Sequence, residues 1–275
     1  MGTTRVTGAE LDYITEGSGP AVLSIGSPTY YRRVYSPNLR ESLSLTFGNL
    51  RHWVPRLDDI ALGTITIDTY AADIEAVRRD ALGDEKVVVM GHSIHGVIAV
   101  EYARRYPDRV RGVVSVAAPP VGAQAVGAAA FWEADATPER KAAHAANLAK
   151  GHLPTSMESG KDLADLYVAR AAMYWNDPMY DASWLWQGVD ANMPLFQHLM
   201  SGLFGEYRVE PLDLPTFVAL GRFDYVVPYS LWDSAKGALN NLRYELYEHS
   251  GHTPPLDEPK KFDADLLDFI ASLPS

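Results

Sequence analysis

The chain has 275 residues, enough for one α/β domain carrying an insertion and a sizeable core. Its net charge of −11 and pI near 5.1 argue against a nucleic-acid or anionic-membrane partner on electrostatic grounds. With no cysteine there can be no disulfide, thiolate metal site or cysteine nucleophile. The start, Met1-Gly2-Thr3-Thr4-Arg5-Val6, lacks an apolar signal core, and Val6 does not fit the myristoylation pattern. No run is apolar enough to span a bilayer, so the expectation is a soluble cytoplasmic protein.

In chain order, Arg5 to Thr7, Leu11 to Thr15 and Ala21 to Ile25 are expected as strands, the third after a Gly17-Ser18-Gly19-Pro20 turn. A helix-like piece from Tyr30 to Ser42 leads to a short strand, Leu43 to Phe47. Asp68 or Thr69 could cap a helix through Ile74, Val77 and Leu82. Val87-Val88-Val89-Met90-Gly91-His92-Ser93 then reads as a buried parallel strand entering a sharp turn, followed by a helix from Ile94 to Arg105 that stops before Pro107. Val110 to Ala117, Pro215 to Leu220 and Leu242 to Tyr247 complete the strands, and a terminal helix covers about Lys260 to Leu273. This alternation predicts a mostly parallel sheet with sites beyond the carboxyl ends of its strands.

One segment breaks the pattern. From about Pro119 to Glu210 only helical patterns occur, such as Pro138 to Lys150 and Asp162 to Met173. It holds Trp132, Trp175, Trp184 and Trp186, four of the six tryptophans. Lying between two sheet strands, residues 119–210 are expected to form a helical cap over a core made of 1–118 and 211–275. Most of its aromatics would form the cap's own core. Tyr174, Trp175, Trp184 and Trp186 are taken as candidate walls for a bulky apolar substrate.

A serine held between a strand and a helix is a nucleophile elbow, its hydroxyl presented at the sheet's carboxyl edge. That hydroxyl needs a base, and the base a carboxylate to set its tautomer. Asp224 follows the strand ending at Leu220, and His252, in Ser250-Gly251-His252-Thr253-Pro254, follows the strand ending at Tyr247. Singly, each is as well explained as a turn residue, helix cap or surface histidine. Their order, each after its own strand, points to a catalytic triad of Ser93, Asp224 and His252.

These motifs carry a resemblance. Gly91-His92-Ser93-Ile94-His95-Gly96, Gly221-Arg222-Phe223-Asp224-Tyr225-Val226-Val227-Pro228 and Ser250-Gly251-His252-Thr253-Pro254 with Glu258-Pro259 are similar to α/β-hydrolase-fold serine hydrolases, close to the proline-iminopeptidase-like branch. The stretch from Tyr174-Trp175-Asn176-Asp177-Pro178 through Trp184-Leu185-Trp186 resembles bacterial esterases that include macrolide-opening enzymes. The resemblance implies an α/β-hydrolase fold with a helical cap after the sixth strand, nucleophile Ser93, acid Asp224 and base His252.

Two departures from the family pattern matter. His95 stands where a small residue is usual, with Gly96 one step later. For it and His92 a packed, hydrogen-bonded histidine is the simpler reading beside that of candidate substrate contacts. No third ligand is spaced to make them a metal site. The oxyanion loop is Ile25-Gly26-Ser27-Pro28 rather than His-Gly-x-Pro. Backbone N–H groups are what the chemistry needs, and alignment of Gly26 and Pro28 gives those of Ser27 and Ile94.

The expected activity is therefore hydrolysis of a carboxylic ester or lactone, with no metal or cofactor, on a bulky and largely apolar small molecule such as a macrolactone. One alternative is a proline iminopeptidase that holds an amine with Glu133, Asp135, Asp177 or Asp181. Another is a catalytically silent ligand-binding protein on the same fold.

Overall fold

The run Val87-Val88-Val89 is β-branched and buried on both faces, which places its strand in the middle of a covered sheet. The computed structural model describes residues 1–58, 60–122, 127–151 and 153–274. In chain order its elements are β1 (Gly2–Val6), β2 (Ala9–Glu16), β3 (Ala21–Ile25), α1 (Pro28–Val34), α2 (Leu39–Ser42), β4 (Ser44–Gly48) and α3 (Ile67–Leu82). Next come β5 (Val87–His92), α4 (Ile94–Arg105), β6 (Val110–Val116), α5 (Ala128–Asp135), α6 (Pro138–Ala149), α7 (Gly160–Ala169), α8 (Ala171–Tyr174) and α9 (Met193–Gln197). The chain closes with β7 (Thr216–Gly221), β8 (Leu242–Tyr247), α10 (Pro254–Asp257) and α11 (Pro259–Ser272).

The eight strands form one sheet in the order β1-β2-β4-β3-β5-β6-β7-β8. β2 pairs antiparallel with both β1 and β4, and from β4 to β8 all pairs are parallel. Helices cover both faces. Gly48 and Gly96 bring α3 and α4 against one face, where a Cβ on Gly96 would stand 2.6 Å from Ala118 Cβ. On the other face Phe262 of α11 stacks with Tyr35 and Phe217. The sheet therefore has a fixed carboxyl rim at which the β3, β5, β7 and β8 loops meet.

The segment between β6 and β7 carries α5 to α9, a 3₁₀ turn at Ser183–Trp186 and a π turn at His198–Leu203. Residues 123–126 and 152 of this expected cap lie outside the described residues. It sits on the rim: Trp186 packs on Tyr30 of α1 with ring centroids 4.8 Å apart, and Tyr174 packs edge-on to His252 at 5.6 Å.

Three local expectations are corrected. The helix-like stretch from Tyr30 to Ser42 is two helices, because Pro37 disfavours helical geometry at Ser36. α3 is capped not by Asp68 or Thr69 but by Thr66, whose hydroxyl accepts from the Thr69 N–H while Thr69 Oγ1 accepts from the Thr66 N–H. The strand expected to end at Ala117 ends at Val116, since Ala117 turns into the left-handed region at φ 47°. No helix among the described residues is long and apolar enough to cross a membrane.

Candidate active site

Ser93 leaves β5 and enters α4 at φ 56° and ψ −129°, a conformation that non-glycine residues avoid. The elbow is held by Ser93 N–H donating to the Val116 carbonyl at 2.8 Å and by the Gly96 N–H donating back to the Ser93 carbonyl at 2.9 Å. Strain of this kind persists only where its surroundings enforce it, and it clusters at functional sites.

Asp224 is completely buried in the turn after β7. Its Oδ1 accepts the Val226 and Val227 N–H groups at 2.9 and 2.8 Å, which aims Oδ2 at His252 Nδ1, 2.7 Å away. A carboxylate engaged in this way only accepts, so His252 carries its proton on Nδ1 and presents the Nε2 lone pair. His252 is held by its backbone: its N–H donates to the Tyr174 carbonyl, and the preceding Gly251 N–H donates to Asp257 at 2.8 Å. Burial pushes the Asp257 carboxyl up to about 6, against the lowering effect of the N–H groups that Gly251 and Asn176 donate to it. His92, next to Ser93 in sequence, lies 2.7 Å through Nε2 from the His252 carbonyl, with ring centroids 4.7 Å apart. The β5, β7 and β8 loops are thus gathered at one rim.

On the β3 side, Gly26 at φ 136° turns the chain into α1. A Cβ there would meet the Tyr31 ring at 2.2 Å, so only glycine brings this loop so close. Ser27 is the N-cap of α1, its Oγ accepting from the Tyr30 N–H at 3.5 Å. The Ile94 N–H opens α4 and has no carbonyl partner in its own helix. No hydrogen bond to another described residue engages the Ser27 or Ile94 N–H.

Two chambers open on Ser93 and Ile94. The larger, about 270 Å³, has apolar walls from Val97, Met200, Phe204 and Val227, and Gly127 and Ala128 leave room at its side. The smaller, about 60 Å³, lies toward Ser27 and is lined by Tyr31, Trp53, Tyr167 and Trp186. His92 and His95 form part of its wall and are 5 % and 3 % exposed. Burial holds both imidazoles well below the ordinary histidine range, His95 at about 3.

Of the expected cap walls, Trp186 lines the smaller chamber and Tyr174 backs His252. Tyr174 itself borders neither chamber, and it and the other two are corrections. Trp184 is 39 % exposed, its indole N–H on the Tyr180 hydroxyl at 3.0 Å, because the tight 3₁₀ turn buries Leu185 and Trp186 and turns its neighbour outward. Trp175 is buried against Tyr180 and borders neither chamber. The four acidic residues considered as amine anchors are engaged elsewhere. Asp135 takes Arg222 and Tyr225, Glu133 takes Lys141, and Asp177 and Asp181 cap the Met179 and Ser183 N–H groups. No carboxylate lines either chamber among the described residues.

Sequence reasoning passed over His52, Trp53 and Tyr31, which surround His95. The available signal was negative: a bulky residue at the elbow position usually kept small must be matched by a pocket built elsewhere.

Comparison with known proteins agrees with this architecture. The family described as "alpha/beta hydrolase fold" matches residues 51–259. The chain is 31 % identical over 272 residues to the AB hydrolase superfamily protein YclE of Bacillus subtilis, covering 95 % of each. Among solved structures, a thermophilic esterase from Thermogutta terrifontis superposes with a TM-score of 0.68 at 17 % identity, over 98 % of both chains. A proline iminopeptidase from Mycobacterium smegmatis superposes with a TM-score of 0.69 at 18 % identity, over 98 % of this chain and 97 % of that one. An esterase and a peptidase fit equally well, so these superpositions speak for the fold alone.

Proposed function

The chain belongs to the alpha/beta hydrolase fold family, and from that premise we propose that it is a serine hydrolase cleaving carboxylic esters through Ser93, His252 and Asp224. The observation that carries this reading is the Asp224–His252 pair, 2.7 Å apart, whose His252 loop meets His92, the neighbour in sequence of the strained Ser93. His252 Nε2 removes the Ser93 Oγ proton as Oγ attacks the ester carbonyl. The negative charge that develops on the carbonyl oxygen is met by the Ser27 and Ile94 N–H groups. The protonated His252 then gives its proton to the departing alkoxide as the C–O bond breaks. A water activated by the same imidazole attacks the acyl-enzyme and releases the acid.

The chambers bear on the substrate. A volume of about 270 Å³ falls below the ~300–1,000 Å³ of pockets that take drug-sized ligands. The smaller, at about 60 Å³, has room for roughly two waters' worth of atoms. This favours an ester with a medium apolar group on one side and a compact group on the other, and the macrolactone expectation is not carried further. Absence of a chamber carboxylate among the described residues favours esterase over iminopeptidase chemistry, because a substrate's free amine would lack a counter-charge.

The test is hydrolysis of a p-nitrophenyl ester series beside proline naphthylamide, with wild type and Ser93→Ala. Ester turnover lost in Ser93→Ala, with the amide untouched, supports the reading. Amide turnover as the main activity would replace it with the peptidase. Ester turnover surviving in Ser93→Ala would remove Ser93 as nucleophile, and no turnover of either substrate would favour a silent binding protein.

A further inference from the structure

A buried chain of ring and hydroxyl groups joins Trp53 to the His252 backbone. The Trp53 indole Nε1 lies 3.1 Å from His95 Nε2, and His52 Nε2 lies 3.0 Å from the same atom. His95 Nδ1 is 2.8 Å from the Tyr31 hydroxyl, and that hydroxyl is 3.3 Å from His92 Nδ1. His92 Nε2 is 2.7 Å from the His252 carbonyl. Proton positions follow from either end. An indole N–H can only donate, so His95 Nε2 accepts and the His95 proton sits on Nδ1, donating to Tyr31. The Tyr31 proton is then free for His92 Nδ1, which leaves the His92 proton on Nε2.

Starting instead from the His252 carbonyl, which can only accept, His92 must carry its proton on Nε2 and accept through Nδ1. Tyr31 therefore donates to His92 and must itself accept from His95 Nδ1. Both ends give the same arrangement, with every imidazole neutral. His52 shares the one His95 Nε2 lone pair with the Trp53 N–H in a three-centre contact, donating from its own Nε2 and accepting at Nδ1 from the Tyr70 hydroxyl, 3.1 Å away. Among the described residues no three His, Cys, Asp or Glu side chains are placed to hold a metal ion.

The middle of this chain touches the oxyanion loop. At the Cβ position that Gly26 leaves empty, the Tyr31 ring lies 2.2 Å away and His95 Nδ1 3.2 Å away. From this juxtaposition we infer that His95, Tyr31 and His92 are positioning residues for the hydrolysis, a directed hydrogen-bond chain that sets the oxyanion loop against the His252 loop. The inference rests on the serine-hydrolase reading for its purpose, but the proton arrangement does not. His95 thus takes the place of the usual small elbow residue as a hub, while Gly96 makes the close helix–sheet approach. Its chemistry needs both ring nitrogens in opposite roles, which few side chains supply.

Two measurements test it. ¹⁵N-histidine NMR of the full-length wild-type chain at neutral pH reads the tautomers without reference to activity. The expected result is His95 protonated on Nδ1 and both His92 and His52 on Nε2. The opposite tautomer at His92 or His95, or a charged ring at either, overturns the chain even if the enzyme is an active esterase. The second measurement is steady-state ester hydrolysis. Tyr31→Phe removes one hydroxyl and is expected to lower kcat by about tenfold or more with KM changed less than about threefold. His95→Asn, whose amide can donate in place of Nδ1, and His92→Gln, whose amide can donate in place of Nε2, should recover most of the kcat lost in His95→Leu and His92→Leu. His95→Gln and His92→Asn should not. Equal loss in all amide variants, or an unchanged kcat in Tyr31→Phe, would reduce the chain to core packing. Failure of the hydrolase reading itself would show separately, as ester turnover indifferent to Ser93→Ala.

Discussion

Asp224 Oδ2 lies 2.7 Å from His252 Nδ1, and the other oxygen of the same carboxylate is occupied by two backbone N–H groups. This geometry sets the tautomer of the imidazole that we propose as the base. Replacing Asp224 by Asn would offer an amide N–H or a more weakly accepting oxygen to Nδ1, and the imidazole could settle with its lone pair turned away from Ser93. A loss of about 10⁴ in kcat with KM little changed is expected for Asp224→Asn in ester hydrolysis. A loss under tenfold would remove Asp224 from the acid role.

The Gly26–Ser27 loop, proposed to supply an oxyanion donor, is the second point of leverage. Gly26→Ala would force a methyl group into the Tyr31 ring at a backbone angle, φ 136°, that an L residue rarely adopts. The loop must shift, and the Ser27 N–H moves with it. One displaced donor costs roughly 10²–10³ in kcat, and Gly26→Ala is expected to fall in that range with the fold retained by circular dichroism. Normal kcat would show that the Ser27 N–H is not a donor.

The larger chamber sets a size limit. Ala128→Phe would fill space beside Ser93 that the small Gly127 and Ala128 leave open. Esters with long acyl or alkyl groups should lose tenfold or more in kcat/KM, while p-nitrophenyl acetate changes less than about threefold. Uniform loss across the series would place the chain-length pocket elsewhere.

Acid stability follows from the buried histidines. His52, His92 and His95 are held neutral by burial, with folded-state values well below those of the unfolded chain. Their contribution to stability is fully present above about pH 6.5 and is lost as pH falls, because the unfolded chain takes up protons that the folded one refuses. Three such groups approach a cost of about 4 kcal/mol per pH unit once the pH is about one unit below that point. Asp257 acts in the opposite sense. Raised to about 6, it stabilises below the ordinary carboxylate range, and that stabilisation is lost as pH rises through 6. Urea unfolding from pH 7.5 to 4.5 should therefore show a steep net loss toward acid. In Asp257→Asn the same scan should be steeper still between pH 4.5 and 6. A flat profile in the wild type would mean that the imidazoles are not neutral in the fold.

Much of this site was legible in the chain. The valine run with Gly91-His92-Ser93 reads as a strand and elbow because a fully covered parallel strand needs a continuous apolar sequence. The strand before Asp224 has the same character, whereas Leu242–Tyr247 before His252 is a half-buried strand at the end of the sheet whose signal is the alternation of apolar with charged residues. Lateral packing was harder to read. Local pattern does not say which face of a short 3₁₀ turn is inward, so Trp184 and Trp186 were indistinguishable until the turn's contacts separated them. His52 and Trp53 sit on a three-residue turn and Tyr31 on the short helix α1, none with much periodicity, and their meeting at His95 depends on long-range closure of β3, β4 and β5. The cap's corner at Arg170, between α7 and α8, has no signal that we identify in the sequence.

The central claim is a covalent one, and intact-protein mass spectrometry tests it most directly. Wild type mixed with p-nitrophenyl butyrate and acid-quenched within the first turnovers should gain one butyryl group, located on Ser93 by peptide mapping. The adduct should be absent from Ser93→Ala. An adduct on another residue, or efficient ester turnover with a fluorophosphonate probe leaving Ser93 unlabelled, would contradict the account.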